Sequence, residues 1–470
     1  MPWNRCGENE VSSMWLFDKL LNRNQAGIWD EADISLPMAG AITKWLNAFY
    51  NNPDWQNNQV RLSGLPSTIT GFVATLVTNE LSISCGTSKR AEYIEEQLQP
   101  LTRRLHNAVQ LAAAGGQIII RPFVQNGQFY FDLVQPGRFF PTRYAPDGRV
   151  MAGYFVDYRD VKGKEYVRIE KFDCDGKQLV ITNTAHSSNG DVLGGTVPLD
   201  TVPQWADLEP EITIDGVKQP LFGCIQMPFA NTVDDASPLP VSIYANAMEG
   251  IMEFDRVYSD MIYELHSGRR KNIVERQAIV PDGKRKPFRG ARYQDPTTDT
   301  YILDPAEEHS PFQDYSPSIR TAEYMTGLKA ILHMVENQCH LSPGTLAIDE
   351  RTGAVTATQI ISQDRTTYNT CAAIQQQGIT QGLLDVVYAM DIMCHLYNLA
   401  PAGELTPAVT YGDGIFEDTQ QEFSRRMQMV QEGILKPECL LAWYFGVDVE
   451  TAQQEYLADS GNTIDMFGGA

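Results

Sequence analysis

The sequence is short of basic side chains and of every compact motif that marks a catalytic or metal centre. Lys and Arg number 37 against 59 Asp and Glu, a formal charge of −22. A protein that coats nucleic acid is expected to be basic, because phosphate neutralisation dominates that affinity. A coating role is therefore disfavoured. A wall past which DNA slides without sticking is compatible, since fixed negative charge repels phosphates. Solubility alone also accounts for the charge. No run of roughly 18 apolar residues occurs, so neither a membrane-spanning helix nor a membrane partner is expected. The opening MPWNRCGENEVSSMW has no apolar stretch and no small-residue cleavage site, so the expectation is a chain that stays in the cytoplasm of the cell that makes it.

Metal and catalytic signatures are equally scarce. The eight cysteines are Cys6, Cys85, Cys174, Cys224, Cys339, Cys371, Cys394 and Cys439, and none forms a C-x-x-C pair. In a chain of this length they read as buried or incidental thiols in a reducing compartment. The seven histidines are scattered and no H-E-x-x-H occurs, so no metal site and no cofactor are expected. The phosphate loop G-x-x-x-x-G-K-S/T is absent, as are the G-x-S-x-G elbow and a G-x-G-x-x-G turn opening a helix. Acid pairs such as Asp234-Asp235 and Glu307-Glu308 lack the partners a two-metal site needs. The chain is not expected to be an enzyme.

What is present is 470 residues, 43% of them hydrophobic, enough for two or three substructures with their own cores. Residues 1–60 are polar and rich in tryptophan (Trp3, Trp15, Trp29, Trp45, Trp55), with short helices expected at 16–21 and 38–49, and read as a peripheral arm. From Pro66, Ile69, Phe72, Val73, Leu76 and Val77 recur at helical spacing. A second helix is expected over 89–114, stopped by Gly115-Gly116. Strands follow at 117–123, 127–134, 150–158, 164–172 and 177–184, with Asp175-Gly176 as a hairpin turn and an irregular stretch over 185–220. Residues 117–230 thus read as a β-rich insertion.

After Pro238-Leu-Pro240 comes an expected helix over 242–266, with Ser242 as its cap and Ile243, Ala247, Ile251, Phe254, Tyr258, Met261 and Leu265 as one seam. A second long helix is expected from Ser316-Pro317 to Cys339, with Ile319, Tyr324, Leu328, Ile331, Leu332 and Val335 on its apolar face. Between the two lies a small module with short strands at 278–281 and 301–303. It is a basic island in an acidic chain: Arg269, Arg270, Lys271, Arg276, Lys284, Arg285, Lys286, Arg289 and Arg292. That reversal of sign points to a partner surface or to proximity to a phosphate backbone. A plain solvated hairpin cluster fits it too. A loop rich in Gly, Pro and Thr follows at 341–356. A helix is then expected from 358 to 399, divided at Gly378 and Gly382, with a short strand at 410–416. Helices at 419–432 and 437–443, another opening at Gly446 and a flexible tail from 461 complete the reading.

The run Leu341-Ser-Pro-Gly-Thr345, with Asp349, Gly353, Thr356-Ala-Thr358, Ile360-Ile-Ser362 and Thr366-Thr-Tyr368, resembles the portal proteins of tailed bacteriophages. The type is that of a Listeria siphophage and its relatives, similar in turn to the portal of a Bacillus siphophage. Tyr411 to Asp418, Gly433 to Pro437 and the Gly446 segment continue the resemblance, as does Gly64-Leu-Pro66 through Asn79-Glu80. Gln359 departs from the pattern, where relatives carry Glu. The first 60 residues and the β-rich middle match only in general character.

That resemblance implies an α+β, mainly helical portal fold: an N-terminal arm (1–60), a wing (61–240, with 117–230 inserted), stem helices at 242–267 and 318–340, a clip (268–317), a tunnel loop (341–357), a long helix returning to the wing (358–400), and a crown with a C-terminal tail (401–470). It implies a ring of twelve subunits at one capsid vertex, serving genome packaging, head–tail joining and DNA ejection. The partners implied are further copies of the chain, the large terminase subunit that is the packaging ATPase, major capsid and scaffold proteins, a head–tail adaptor, and double-stranded DNA passing without sequence preference. The place implied is the virion, after assembly in the host cytoplasm. Asp349, Glu350 and Arg351 would face DNA in the tunnel loop. Arg269, Arg270, Lys271, Lys284, Arg285 and Lys286 would form a basic clip surface toward phosphates or the motor. The competing readings are a head–tail connector or adaptor, usually much shorter; a nuclease or peptidase, for which the side chains are missing; and a solute-binding or scaffold protein of the host, for which a signal segment or repeated βαβ units would have spoken.

Overall fold

A computed structural model describes residues 34–189, 192–268, 271–275, 300–303, 312–315, 318–346, 365–412 and 419–445, with Val449 and Ala452. Its first helix, α1 (Leu36–Phe49), starts where Ser35 accepts the Met38 amide and where Pro37 presets the first turn. The helix expected here is present, but its place is not peripheral. Met38, Ala39, Ile42, Trp45 and Leu46 are buried in the main core, so the arm reading fails for this stretch. α2 (Leu65–Thr78) follows, burying Ile69, Val73 and Val77. Then come β1 (Ser82–Ser84), α3 (Lys89–Thr102), capped by the Ser88 hydroxyl, and α4 (Leu105–Gly115). The single helix expected over 89–114 is therefore two. Pro100 lacks an N–H and crowds the preceding turn, and the chain breaks at Arg103-Arg104.

Antiparallel sheet fills the next hundred residues. β2 (Gln117–Gln125) lies between β3 (Gln128–Val134) and β10 (Gly223–Gln226). A second sheet runs β4 (Phe139–Tyr144), β5 (Val150–Val161), β6 (Lys164–Cys174), β7 (Gln178–Asn189) and β8 (Val192–Val197), with β9 (Glu211–Asp215) pairing with β7. The β6–β7 turn is the expected one: the Asp175 carboxylate accepts the amides of Lys177 and Gln178, and Gly176 takes φ 87°. The stretch expected to be irregular contains β8 and β9. Their side chains are largely exposed and give no alternating pattern; pairing with β7 makes them strands.

Ile118, Ile119 and Ile120 explain how the layers join. All three are buried, as in a strand covered on both faces. Ile118 and Ile120 belong to the main core with the helices. Ile119 points the other way, into a second core of Phe139, Phe155, Phe172 and Phe222. There Phe222 meets the other three rings edge-on at 5.5–5.9 Å between centroids, a favoured aromatic arrangement.

α5 (Met248–Ser267) and α6 (Thr321–Gln338) flank a small mixed sheet. In it β11 (Lys271–Glu275) pairs parallel with β12 (Thr300–Leu303) and antiparallel with β13 (Phe312–Tyr315). Both helices are shorter at the start than expected. Ser242 does not cap α5. Its hydroxyl donates to the Ala113 carbonyl and so ties the approach to α5 onto the end of α4. The strand expected at 278–281 lies outside the described residues.

The helix after residue 364 has two parts, α7 (Arg365–Ala373) and α8 (Thr380–Leu396), joined by one wider turn over Ile374–Ile379. Such a turn loosens the regular ladder. The Gln375 carbonyl accepts the Thr380 backbone N–H and, in addition, the Thr380 and Tyr411 hydroxyls at 2.8 and 2.9 Å. The expected division holds at Gly378, which lies in the wider turn, and not at Gly382, which lies within α8; both glycines serve contact. A Cβ at Gly378 would strike the Gln226 oxygen, one at Gly382 the Cys224 oxygen, and one at Gly223 the Gly382 oxygen. Strand β10 and α8 thus touch backbone to backbone. β14 (Ala408–Thr410) pairs with β1, and Arg90 binds the Ala400 and Pro401 carbonyls and Asp391. Residues 400–410 are laced to the α3 layer. α9 (Thr419–Gln431) and α10 (Pro437–Phe445) close the described chain.

Candidate functional site

The feature that stands apart is the α5–sheet–α6 unit and the segment leaving α6. α5 and α6 are antiparallel: Gly250 lies against Val335 at one end, and Glu264 meets Arg320 at the other. At Gly250 a Cβ would sit 2.9 Å from Val335 Cγ2, so the helices approach closely there. The seam is filled by Ile251 and Phe254 from α5 and by Leu328, Leu332 and Val335 from α6.

Beside the small sheet, one carboxylate receives three hydrogen bonds. The Arg320 backbone N–H and Nε bind Glu264 Oε1 at 3.0 and 3.2 Å, and Nη2 binds Oε2 at 2.6 Å. The guanidinium holds the Glu264 carboxyl down at about 2, well below the usual carboxylate range. The Tyr324 hydroxyl, next to this carboxylate, is pushed up.

Lower on α5, Asp255 is buried at 2% exposure. Its carboxylate accepts the Trp55 indole N–H at 3.0 Å and the Ser63 amide at 2.8 Å. Ser259, one turn on, accepts the Arg61 amide at 2.7 Å. The chain between α1 and α2 is thereby buttoned onto α5.

The third station is the exit from α6. The Glu336 side chain is fully buried. Its Oε2 accepts the Gly344 amide at 2.7 Å, and its Oε1 the Leu346 amide at 2.6 Å. His333 Nδ1 stands 3.0 Å from Oε2. Ser342 and Thr367 then bond reciprocally: the Ser342 amide donates to the Thr367 hydroxyl at 2.8 Å, and the Thr367 amide to the Ser342 hydroxyl at 3.2 Å. The Thr370 hydroxyl donates to the His340 carbonyl at 2.8 Å.

Asp349, Glu350, Arg351, Arg269, Arg270, Lys284, Arg285 and Lys286 lie outside the described residues. Lys271 is the first residue of β11, with its backbone opposite Tyr315. Asp255 and Glu336 escaped the sequence reading. Their signal was a polar residue on an apolar stripe: Asp255 is four residues after Ile251, and Glu336 is four after Leu332. Among the described residues no cluster of His, Cys, Asp or Glu could hold a metal ion, and no helix is long and apolar enough to cross a membrane.

No curated protein matches this chain. Among solved structures, it is similar to a chain from the "Neck of native GTA particle computed with C12 symmetry", at 9% identity over 87% of this chain and 93% of that one. The TM-score of 0.40 is too low to carry weight. The sequence model of the family described as "Phage portal protein, SPP1 Gp6-like" matches residues 19–465. That is nearly the whole length, across the antiparallel sheets, the α5–α6 pair and the C-terminal helices; the chain belongs to the phage portal protein family, whose members are structural components of the phage head.

Proposed function

We propose that this chain is one subunit of a ring, twelvefold in symmetry, that forms the DNA channel at one capsid vertex and serves packaging, head–tail joining and ejection. The observation that carries the reading is the antiparallel α5–α6 pair, with a separate small sheet at one end and a firmly tied loop root at the other, in a chain of the portal family. In this reading α5 and α6 are the stem (242–267 and 318–340) and 268–317 is the clip. Residues 341–357 are the tunnel loop and 358–400 the helix returning to the wing, which comprises 61–240. Residues 401–470 form the crown and tail, with the first of them against the wing. The arm of this reading is confined to the chain before α1, a helix that itself belongs to the core. Ring formation needs a heterologous interface whose rotation closes.

Twelve copies of a chain carrying −22 would line a channel that guides DNA and does not hold it, an effect that salt screens strongly. Asp349, Glu350 and Arg351 would face the duplex. Arg269, Arg270, Lys271, Lys284, Arg285 and Lys286 would contact phosphates or the packaging ATPase. Scaffold, capsid and adaptor proteins complete the partners, and the finished particle is the site of action.

The first test is the native mass of the purified chain together with particle images. A ring of about twelve 52.6 kDa subunits with a central channel is expected. A chain that stays monomeric at high concentration, in the presence of its scaffold and capsid proteins, would overturn the proposal. Neutralising Arg269, Arg270 and Lys271 is expected to weaken motor binding or packaging; if both are unchanged, the clip assignment fails.

A further inference from the structure

Glu336 is an uneconomical way to end a helix. It sits in the last turn of α6, where the aligned peptide dipoles already place negative charge, and its side chain is wholly out of water. An anion there is unfavourable on both counts, and a glycine or asparagine cap with an apolar contact closes most helices. Here the carboxylate is retained and receives two backbone N–H donors from beyond the helix, Gly344 and Leu346, with His333 on its outer side. Charge-assisted bonds of this kind are short and strong, and they fix direction as well as distance. Gly344 takes φ 84°, a conformation in which a side chain would be strained, so the turn that presents these amides is built for them.

The same few residues carry a second tie. The Ser342–Thr367 pair joins the segment leaving α6 to the first turn of α7, and Thr370 binds the His340 carbonyl. The two feet of the segment between α6 and α7 are thus held together, and one of them is fastened to α6 by a buried charge.

We infer that Glu336 is a positioning residue for the channel: its carboxylate rigidly couples the chain at 342–346 to the end of α6, so that any displacement of this stem helix is passed to the loop root. The inference rests on the portal reading above, which makes α6 a stem helix and the following segment channel-lining. Glu336→Gln keeps the size and one acceptor oxygen but turns an NH2 toward one of the two amide donors, so one bond is replaced by a donor–donor clash.

The experiment uses full-length rings of wild type, Glu336→Gln and Thr367→Val. Ring mass, thermal melting, amide exchange at Gly344 and Leu346, and DNA packaging yield are read for each. Both variants are expected to form rings of wild-type mass and yield. Exchange should rise about tenfold or more in Glu336→Gln at whichever of Gly344 and Leu346 faces the NH2, as expected for loss of a hydrogen bond to a charged group. Packaging per ring should fall in the same variant. Thr367→Val leaves Glu336 in place and loosens only the second tie, so it should weaken packaging in the same direction without speeding exchange at Gly344 and Leu346. If Glu336→Gln fails to fold, exchange at Gly344 and Leu346 in the wild-type ring as fast as in an unbonded chain overturns the inference. Unchanged exchange in Glu336→Gln, or faster exchange with full packaging, overturns the inference. A wild-type chain that forms no ring overturns the portal reading instead, which keeps the two failures distinct.

Discussion

Arg320 grips Glu264 across the base of the small sheet. Its Nε and Nη2 face the two carboxylate oxygens at 3.2 and 2.6 Å, and its own backbone amide adds a third bond at 3.0 Å. The fork geometry is what guanidinium and carboxylate do best. It brings the last turn of α5 and the entry to α6 together, so the chain leaves the helix pair and returns to it at one point. The guanidinium also lies over the Tyr324 ring, 5.6 Å from its centre, which holds it in place from the other side.

This pair sets a pH window. The carboxyl of Glu264 is lowered from 4.5 to about 2 by Arg320. A depressed carboxylate contributes stability that is fully present above its unfolded value and is lost as pH falls through its folded value. The contribution is therefore intact above pH 4.5 and disappears between there and about 2. A carbon-detected titration of the Glu264 carboxyl should show its midpoint near the low end of that window. A midpoint at the ordinary value would contradict the pairing. Glu264→Gln should remove this component of acid sensitivity.

The contact of β10 with α8 leaves no room for a methyl group. Gly382→Ala and Gly223→Ala each place a Cβ against a backbone oxygen, which cannot rotate away as a side-chain end can. Each should cost about 1–3 kcal/mol, the range for overpacking. Urea unfolding should show the loss as a lower midpoint. Gly40→Ala, on the exposed face of α1 with open space around it, should be stabilising by about 0.4–1 kcal/mol.

Asp255→Ala should be among the most damaging single changes in α5. It leaves the Trp55 indole and the Ser63 amide without their acceptor in a buried place. Each orphaned donor costs about 1–3 kcal/mol. Trp55→Phe removes one donor along with its need and should cost less. Comparing the two in chemical denaturation separates the charge from the packing.

Five cysteines, Cys85, Cys224, Cys339, Cys371 and Cys394, should be inert in the folded chain. Burial pushes the thiols of Cys85 and Cys394 up to about 11, and those of Cys224, Cys339 and Cys371 up to about 12. The thiolate is the reactive form, so alkylation at pH 8 should run about a hundredfold or more slower than in the unfolded chain. Peptide mapping after a timed pulse of iodoacetamide checks each site. Rapid labelling of Cys339 in the folded protein would show that the α6 exit is open.

Much of the architecture was legible because it follows local rules. The stripe of Leu328, Leu332 and Val335, the turn at Asp175-Gly176 and the strands around them depend on spacing and on turn chemistry within a few residues. The order of helix, small module and helix was readable for the same reason; membership in the portal family is a property of the sequence as a whole, matched over residues 19–465. The break at Arg103-Arg104 was missed: the apolar spacing runs on through Pro100, and one helix over 89–114 was expected where two are found.

What only the tertiary structure decided is where lone polar groups find partners. Asp255 and Glu336 look like interruptions of an apolar face until the amides of Ser63, Gly344 and Leu346 come to meet them. Ser242 reads as a helix cap until the Ala113 carbonyl takes its hydroxyl. The α1 helix reads as peripheral until Trp45 and Met38 are closed over by distant elements. Spacing along a chain encodes which face is apolar, because that depends on helical and strand periods alone. The desolvation of a carboxylate and the bonds that offset it depend on groups from 8 to 200 residues away along the chain, outside the helix that carries it, and these come together only when the chain is folded.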